Sequence, residues 1–347
     1  MYPVDEKISN KAANLSFVCA CLVALIHFPQ FPRDGAVVKL LWDVFPGSIL
    51  RVAVPFFFVA SGYWMAGRCD EKGWWKAAVK SRVKSLLVPY FVLNSLWFSF
   101  TVLYDSIASS HAATVTAHDI FAALGFVRGE YPALEHLWYI WRLVILVVIS
   151  PLCVLVARRS KWLSIAVVGG LLVCLACRGM YLQLPREELP AILVPFKYVV
   201  PPVGLAGFLS GVAFRIHGIP EVSKGNSLIF CVAGFVLLLA CKHTVNIYFS
   251  KCGFYAALPL FLFGAWGIAT DRHLPNAIVR NTFAVYVFHW IIYWFLGRVD
   301  AALNLNVFFG SCIGYFSCLT IGVTGGCLIG KLIHKSKLAT ALLLGGR

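Results

Sequence analysis

Long apolar segments separated by short polar stretches run through the whole chain. The first extends from Leu15 to Ile26, is followed by His27, and stops before Pro29. Segments of this kind give ten candidate spans, at about residues 12–31, 47–67, 85–104, 136–157, 162–180, 196–215, 226–241, 252–270, 282–297 and 307–330. Since about 20 apolar residues cross a bilayer as a helix, the pattern predicts an all-α, polytopic integral membrane protein with about ten transmembrane helices.

Composition agrees with this class. Of the 347 residues, 60% are hydrophobic and 13% are charged, which is far from the composition of a soluble globular domain. No internal repeat or low-complexity linker divides the chain, so we interpret residues 1–347 as a single transmembrane domain. Most of the 12 cysteines lie inside apolar runs as small hydrophobic residues. None belongs to a CxxC with a matching partner, so we expect no metal.

The formal net charge of +15 reflects membrane topology, and no nucleic-acid partner is expected. Lysines and arginines cluster between the spans, and no basic stripe is interleaved with stacking aromatic residues. With the N-terminus inside, nineteen of them fall on the cytoplasmic side and nine on the other. The bias predicts a multi-pass protein of the cell (plasma or inner) membrane with both termini in the cytoplasm, and it places His27 towards the outer leaflet.

A guanidinium lies at the start of the second span, in Arg51-Val-Ala-Val-Pro-Phe-Phe-Phe-Val-Ala-Ser-Gly-Tyr63. A charge buried at membrane depth costs about 3 kcal/mol on insertion scales, and it usually faces a cavity or a partner. On a helix, Arg51, Pro55 and Gly62 fall near one face. We therefore expect a buried Arg51 that lines a ligand passage.

His27 has two interpretations that the sequence leaves open. One is an interfacial histidine that caps a helix end with its polar tip in water. The other is a general base, since imidazole titrates near neutral pH and takes a proton from an alcohol. A carboxylate would then orient the ring. The acidic residues on the same side of the membrane are Asp34, Asp43, Glu130 and Glu135.

The fourth span begins Glu135-His-Leu-Trp-Tyr-Ile-Trp-Arg142. Glu135 and Arg142 share a helical face, together with Trp138 or Tyr139. Arg142 needs a polar partner inside a membrane. That partner is either Glu135, in an ion pair that stabilises the helix bundle, or a polar ligand.

The ninth span carries a histidine between two tyrosines. His289 shares a face with Tyr286 and Tyr293. It is either a hydrogen-bond partner of a neighbouring helix or part of a site.

The loop at residues 68–84 is basic and leads through Arg82 and Lys84 into the third span. One interpretation is an anchor at the anionic cytoplasmic leaflet. The other is a binding surface for a phosphorylated cytosolic cofactor, because arginine and lysine neutralise phosphates. Neither a Walker loop nor a GxGxxG fingerprint precedes a helix, so no ATP- or NAD-binding fold is expected.

The order of these features resembles the membrane acyltransferase-3 family over essentially the whole chain. The matching features are His27 at the end of the first helix, the Arg51–Tyr63 segment, the basic run into Pro89-Tyr90, His136-Leu-Trp-Tyr139 and Val285-Tyr-Val-Phe-His289. The resemblance implies a ten-helix membrane fold that transfers acyl groups, usually acetyl from acetyl-CoA, to sugars and other surface molecules.

Roles follow from the resemblance. His27 matches the catalytic histidine, and we group Asp43 and Arg51 with it. We assign acyl-donor binding to Arg82, Lys84, Arg142 and Ser61. The rest of the pocket is assigned to Glu135, His136, Trp138, Tyr139, Tyr286 and His289.

One position departs from the family. Ser16 stands where members often carry an arginine, eleven residues before the histidine. Such an arginine would hold the CoA phosphates about 16 Å from the histidine along the helix. Either Lys11 or the pair Arg82 and Lys84 supplies this charge, or the donor is bound differently.

The sequence thus predicts an acyltransferase that moves an acyl group, by resemblance acetyl, from cytosolic acyl-CoA to a hydroxyl of a cell-surface sugar or related acceptor. An acyl-histidine intermediate on the same residues is the alternative path. The rival function is a transporter or flippase of a small solute or glycolipid, since buried arginines and broken helices also build substrate paths. Expected partners are acyl-CoA, the glycan acceptor and the lipid bilayer; a homo-oligomer is left open.

Overall fold

The computed structural model describes residues 5–27, 49–108, 114–127, 130–181, 202–244, 246–304 and 311–346. These ranges are helical and contain no strand, which confirms the predicted all-α class. The helices are α1 (Glu6–Ile26), α2 (Ala53–Ala66), α3 (Trp74–Arg82), α4 (Val88–Ala108), α5 (Ala117–Ala123), α6 (Trp138–Val148), α7 (Ser150–Arg159), α8 (Lys161–Tyr181), α9 (Pro202–His217), α10 (Lys224–His243), α11 (Ile247–Ile268), α12 (Asn276–Val279), α13 (Thr282–Leu303), α14 (Cys312–Ile333) and α15 (Lys337–Leu344).

Three short turns of other helical types join these elements. A 3₁₀ turn, Ile49–Val52, precedes α2, and a second, Glu135–Leu137, precedes α6. A π-helical turn, Val83–Leu87, connects α3 to α4. All three carry residues that the sequence singled out, and π-helical turns within α-helices are frequent at functional sites.

The described residues do not confirm the predicted number of membrane crossings. Five described helices are long and apolar enough to cross: Glu6–Ile26, Trp74–Ala108, Lys224–His243, Thr282–Leu303 and Ile313–Ile333. The bent pair Glu135–Val148 and Ser150–Arg159 makes a sixth if it is one span. Four shorter apolar helices of 10–17 residues occupy other predicted spans, but about 20 residues are needed to cross as one straight helix. The count of about ten is therefore not confirmed.

Pro151 breaks the fourth predicted span. α6 and α7 meet at an angle of 58°. A proline has no N–H for the carbonyl four residues earlier, and its ring collides with that carbonyl. The carbonyl belongs to Val147, and the hydroxyl of Ser150 donates to it instead at 2.7 Å. The backbone bends without leaving this buried acceptor unpaired.

Glycines allow α2 and α9 to cross with their backbones in contact. Gly62 of α2 lies against the carbonyl of Phe208, and Gly211 of α9 lies against the carbonyl of Val59. A methyl group at either glycine would collide with backbone. Small residues at such crossings are the usual means by which membrane helices pack closely, and this crossing holds α2 next to α6.

A second glycine face joins α14 to α13. Gly326 lies against Val285 and Gly330 against Asn281. These glycines are four residues apart and share one face of α14. Their packing fixes the position of α13, which carries His289.

The outer surfaces of the helices are apolar. Side chains that are more than half exposed include Leu96, Leu103, Ile107, Leu152, Leu155, Ile313 and Leu328. A surface of this kind is stable against lipid and would aggregate in water. It supports a membrane protein, as the sequence predicted.

Candidate functional site

Three histidines from distant parts of the chain meet inside the helix bundle. His27 ends α1, His136 lies in the 3₁₀ turn before α6, and His289 lies in the second turn of α13. The ring centre of His27 is 5.9 Å from that of His136 and 5.5 Å from that of His289. The rings of His136 and His289 are 4.9 Å apart. We call these three residues the histidine cluster.

Backbone hydrogen bonds set the tautomers of two cluster histidines. Nδ1 of His289 lies 3.0 Å from the carbonyl oxygen of Val285, and Nε2 of His136 lies 3.1 Å from that of Val287. Because a carbonyl oxygen can only accept, these nitrogens carry the protons. In the neutral rings, Nε2 of His289 and Nδ1 of His136 then bear lone pairs. Both are buried, and among the described residues neither has a hydrogen-bond partner.

Aromatic side chains of α13 enclose the cluster. Trp290 lies 5.0 Å from the ring centre of His27 and 5.7 Å from that of His136. Tyr286 donates its hydroxyl to the backbone carbonyl of His136. His136 and His289 are buried, whereas His27 is half-buried. His27 is therefore the cluster member that a substrate can approach.

A line of polar and aromatic side chains leads from the basic loop towards the cluster. The guanidinium of Arg82, half-buried at the end of α3, interacts electrostatically with the phenol of Tyr139. The hydroxyls of Tyr139 and Ser61 are 3.3 Å apart. The ring centre of Tyr139 is 6.3 Å from that of Tyr286, which contacts the cluster through His136. We call Arg82, Ser61, Tyr139 and Tyr286 the tyrosine line.

Other predicted pocket residues lie around this line. Trp138 is half-buried, while Glu135 and Lys84 are exposed. Arg142 is half-buried on α6, and its guanidinium interacts electrostatically with the phenol of Tyr90 on α4. Tyr90 is therefore a polar group of a neighbouring helix with which Arg142 interacts electrostatically. The Glu135–Arg142 ion pair remains a prediction.

The expected burial of Arg51 is wrong. Its side chain is exposed, whereas Pro55 and Gly62 are buried. The reason is local: Arg51 lies in the 3₁₀ turn that precedes α2, at the end of the segment, where a long charged side chain can reach out of the apolar interior. Its turn nevertheless packs against α1, whose end carries His27.

The structure describes only some of the acidic residues that were expected to orient His27. Asp34 and Asp43 lie outside the described residues. Glu130 is 3.3 Å from the exposed imidazole of His118. None of these positions tests the role assigned to Asp43.

A buried carboxylate that the sequence pattern did not single out lies on α13. Asp300 is only 7% exposed. Tyr293 lies between it and the cluster, with its ring centre 5.8 Å from that of His289. His289, Tyr293 and Asp300 are spaced by four and seven residues and share one helical face. That spacing was the available signal, and carboxylates within membrane helices usually serve a function.

Ser16 does not replace the family arginine. It is half-buried, and its hydroxyl donates to the carbonyl of Ala12 in its own helix at 2.6 Å. The cation that precedes it, Lys11, packs against Trp266 of α11 at 5.9 Å from the ring centre. Within the described ranges, no group of three or more His, Cys, Asp or Glu residues is arranged to hold a metal ion.

The sequence matches the model of one known protein family. A family model described as an acyltransferase domain matches residues 15–331, which is nearly the entire chain and includes the histidine cluster and the tyrosine line. No curated protein and no solved structure matches the chain.

Proposed function

The chain belongs to the acyltransferase 3 family, and on that premise we propose that this membrane acyltransferase moves an acyl group from cytosolic acyl-CoA to a hydroxyl of a cell-surface sugar. Acetyl is the proposed group, and His27 is the proposed general base. The observation that carries the proposal is the histidine cluster, in which the half-buried His27 faces two buried imidazoles with lone pairs.

The donor is proposed to approach from the basic loop. Arg82 and Lys84 bind its phosphates, and the pantetheine arm follows the tyrosine line, where hydroxyls of Ser61 and Tyr139 offer hydrogen bonds. The electrostatic interaction of Arg82 with Tyr139 supports this route, because it relates the cationic end of the line to its aromatic interior. Arg142 lines the neighbouring helix. The basic loop lies on the cytoplasmic side if both termini do, as the charge distribution favours.

The transfer step needs one proton acceptor near the acyl carbon. His27 takes the proton of the acceptor hydroxyl while the oxygen attacks the thioester carbonyl. The tetrahedral intermediate collapses with cleavage of the carbon–sulfur bond, and the imidazolium returns the proton to the departing thiolate of CoA. Products are the acyl ester and free CoA. The acyl-histidine route would instead begin with attack of His27 on the thioester.

Arg51 is proposed to stabilise the oxyanion of that intermediate. Its turn packs against α1, where Val52 of the turn and Leu22 of α1 belong to one apolar cluster. A cation beside the developing charge is most effective where water is excluded. The guanidinium of Arg51 is exposed in the protein alone, so the bound donor and acceptor must cover it and exclude water from the oxyanion.

Removing the basic end of the donor route should weaken donor binding. With Arg82→Ala and Lys84→Ala combined, we expect CoA affinity of the detergent-purified protein to fall by about tenfold or more, since hydrogen bonds to charged groups contribute about 1.5–3 kcal/mol each. Titration of CoA at two ionic strengths measures this affinity. The difference in CoA affinity between the wild type and the double variant should be smaller at the higher ionic strength, because salt screens the contacts.

The matched control comes from the same basic loop. Lys72→Ala with Lys76→Ala removes two exposed cations and should leave CoA affinity near that of the wild type. Equal loss in both double variants would reduce the loop to a general electrostatic surface. Unchanged affinity after loss of Arg82 and Lys84 would remove them from the donor site.

His289 is proposed to position His27 during transfer, when the protonated His27 ring would donate to the Nε2 lone pair of His289, which has no partner among the described residues. His289→Gln cannot retain the imidazole geometry, and a misplacement near 1 Å costs about 10²-fold in rate. We expect kcat to fall by about that factor while KM for acyl-CoA stays near the wild-type value. Transfer of label from radioactive acetyl-CoA into membrane glycans, at varied donor concentration, separates the two constants.

His118→Gln is the control for this variant, since His118 is exposed and lies outside the cluster. It should leave both constants unchanged. A His289→Gln protein that folds with wild-type kcat would show that His289 is only a packing residue, and the proposed positioning role would then be rejected.

A further inference from the structure

An apolar cavity of about 490 Å³ lies among α1, α2, α8, α9, α10 and α11. Its volume is within the range of pockets that hold small-molecule ligands. The two side-chain hydroxyls on its wall are engaged: Ser210 donates to the carbonyl of Ala206 in its own helix, and the hydroxyl of Tyr63 accepts from Arg215. The interior therefore suits a hydrocarbon.

The cavity is separate from the tyrosine line. α2 forms the wall between them, with Phe56 and Ala60 facing the cavity. Phe57 and Ser61 of the same helix contact Tyr139 on the other side. An occupant of the cavity would thus lie behind α2 and outside the donor route.

Two cations lie where the cavity reaches the ends of α1 and α9. Lys11 donates to the carbonyl of Trp266 at 3.5 Å, and Arg215 donates to Tyr63 at 3.3 Å, with its guanidinium carbon 5.3 Å from that ring centre. Trp266 and Tyr63 are both lining residues. Two half-buried cations thus lie beside lining residues of the apolar cavity.

We propose that this cavity binds one acyl chain of an anionic phospholipid, whose phosphate is held by Lys11 and Arg215. The ammonium of Lys11 has three donors, and its hydrogen bond to the carbonyl of Trp266 occupies one. Arginine and lysine form strong charge-assisted bonds with phosphate. The leaflet on the side of the N-terminus supplies the lipid. This binding is independent of the proposed transfer reaction.

A phospholipid fits this arrangement better than a long-chain acyl-CoA. In a phospholipid the phosphate follows the acyl ester after a short glycerol unit, so a chain inside the cavity leaves the phosphate at its mouth. In acyl-CoA the pantetheine arm separates the thioester from the diphosphate. With its chain in the cavity, that diphosphate would extend well beyond Lys11 and Arg215.

The test compares lipids with identical chains and different head groups. Native mass spectrometry of the detergent-purified full chain would measure binding of palmitoyl-oleoyl phosphatidylglycerol and phosphatidylcholine. We expect phosphatidylglycerol to bind about 10- to 30-fold more tightly, and Lys11→Ala with Arg215→Ala to abolish that preference. Lys76→Ala with Lys335→Ala removes two exposed cations elsewhere and should preserve it.

Filling the cavity tests the position of the chain. Ser210→Phe places a ring inside the cavity and should weaken both lipids about tenfold or more. Ala256→Phe, from α11 on the facing wall, is a second filling variant if the first does not fold. Ala233→Phe adds the same ring on the exposed surface of α10 and should leave binding unchanged.

Three results would overturn the proposal. The first is equal binding of both lipids to the wild type. The second is equal weakening by Ala233→Phe and by a folded filling variant. The third is displacement of phosphatidylglycerol by palmitoyl-CoA together with a loss of CoA affinity in the Lys11/Arg215 variant, which would assign the cavity to the donor. Failure of acyl transfer in other variants has no bearing on these lipid measurements.

Discussion

His27→Ala is expected to lower acyl transfer by about 10²- to 10⁴-fold, the contribution of a general base, while the protein inserts and folds normally. His27 caps α1 through its backbone N–H, which bonds to Leu25 and Val23, so alanine retains that contact. The measurement is incorporation of label from radioactive acetyl-CoA into membrane glycans, normalised to the monodisperse protein recovered in detergent.

His243→Ala provides the control, because His243 is exposed at the end of α10. It should transfer at the wild-type rate. His27→Gln separates base chemistry from hydrogen bonding, since glutamine still forms hydrogen bonds but takes no proton at neutral pH; it should be as inactive as alanine. Wild-type levels of product in His27→Ala would rule out the catalytic assignment and favour the transporter.

Gly211→Ala is expected to have the largest effect on stability. Its new methyl group would collide with the carbonyl of Val59 across the α2–α9 crossing, and backbone atoms cannot move aside as a flexible side chain does. Overpacking costs about 1–3 kcal/mol even among side chains, so we expect a greater loss here. Thermal unfolding in detergent should show a lower midpoint and a smaller monodisperse fraction.

Gly170→Ala is the matched control within a helix. Nothing lies within 4 Å of a methyl group added at Gly170 of α8, and alanine is favoured over glycine in a helix by about 1 kcal/mol. Its midpoint should equal or exceed that of the wild type. A Gly211→Ala protein as stable as Gly170→Ala would mean that α2 and α9 do not cross as closely as described.

The ligand passage inferred from the second span illustrates the limits of a regular pattern. The prediction treated Arg51, Pro55 and Gly62 as parts of one buried α-helix, but Arg51 lies before α2, in the 3₁₀ turn at Ile49–Val52, and its side chain is exposed. The fourth span shows the same effect, since Pro151 divides it into α6 and α7. An argument from sequence periodicity assumes one type of helix over the whole segment. A single turn of another type, or a proline, interrupts that helix.

Local composition and the order of the motifs along the sequence predict the structural class of the protein. Apolar length and charge bias act within one segment at a time, so the all-helical membrane fold and the family resemblance could be predicted from them. The resemblance also drew attention to His27, His136 and His289 individually.

Only the tertiary structure decided how these residues combine. The three imidazoles meet because the Gly326 and Gly330 face of α14 positions α13, while the chain from Glu135 to Leu137 places His136 against Val287. Contacts between residues so distant in sequence leave no periodic signal. The cavity beside Lys11 and Arg215 likewise depends on contacts between distant residues. Six helices must pack together before the apolar interior forms and the two cations lie beside it.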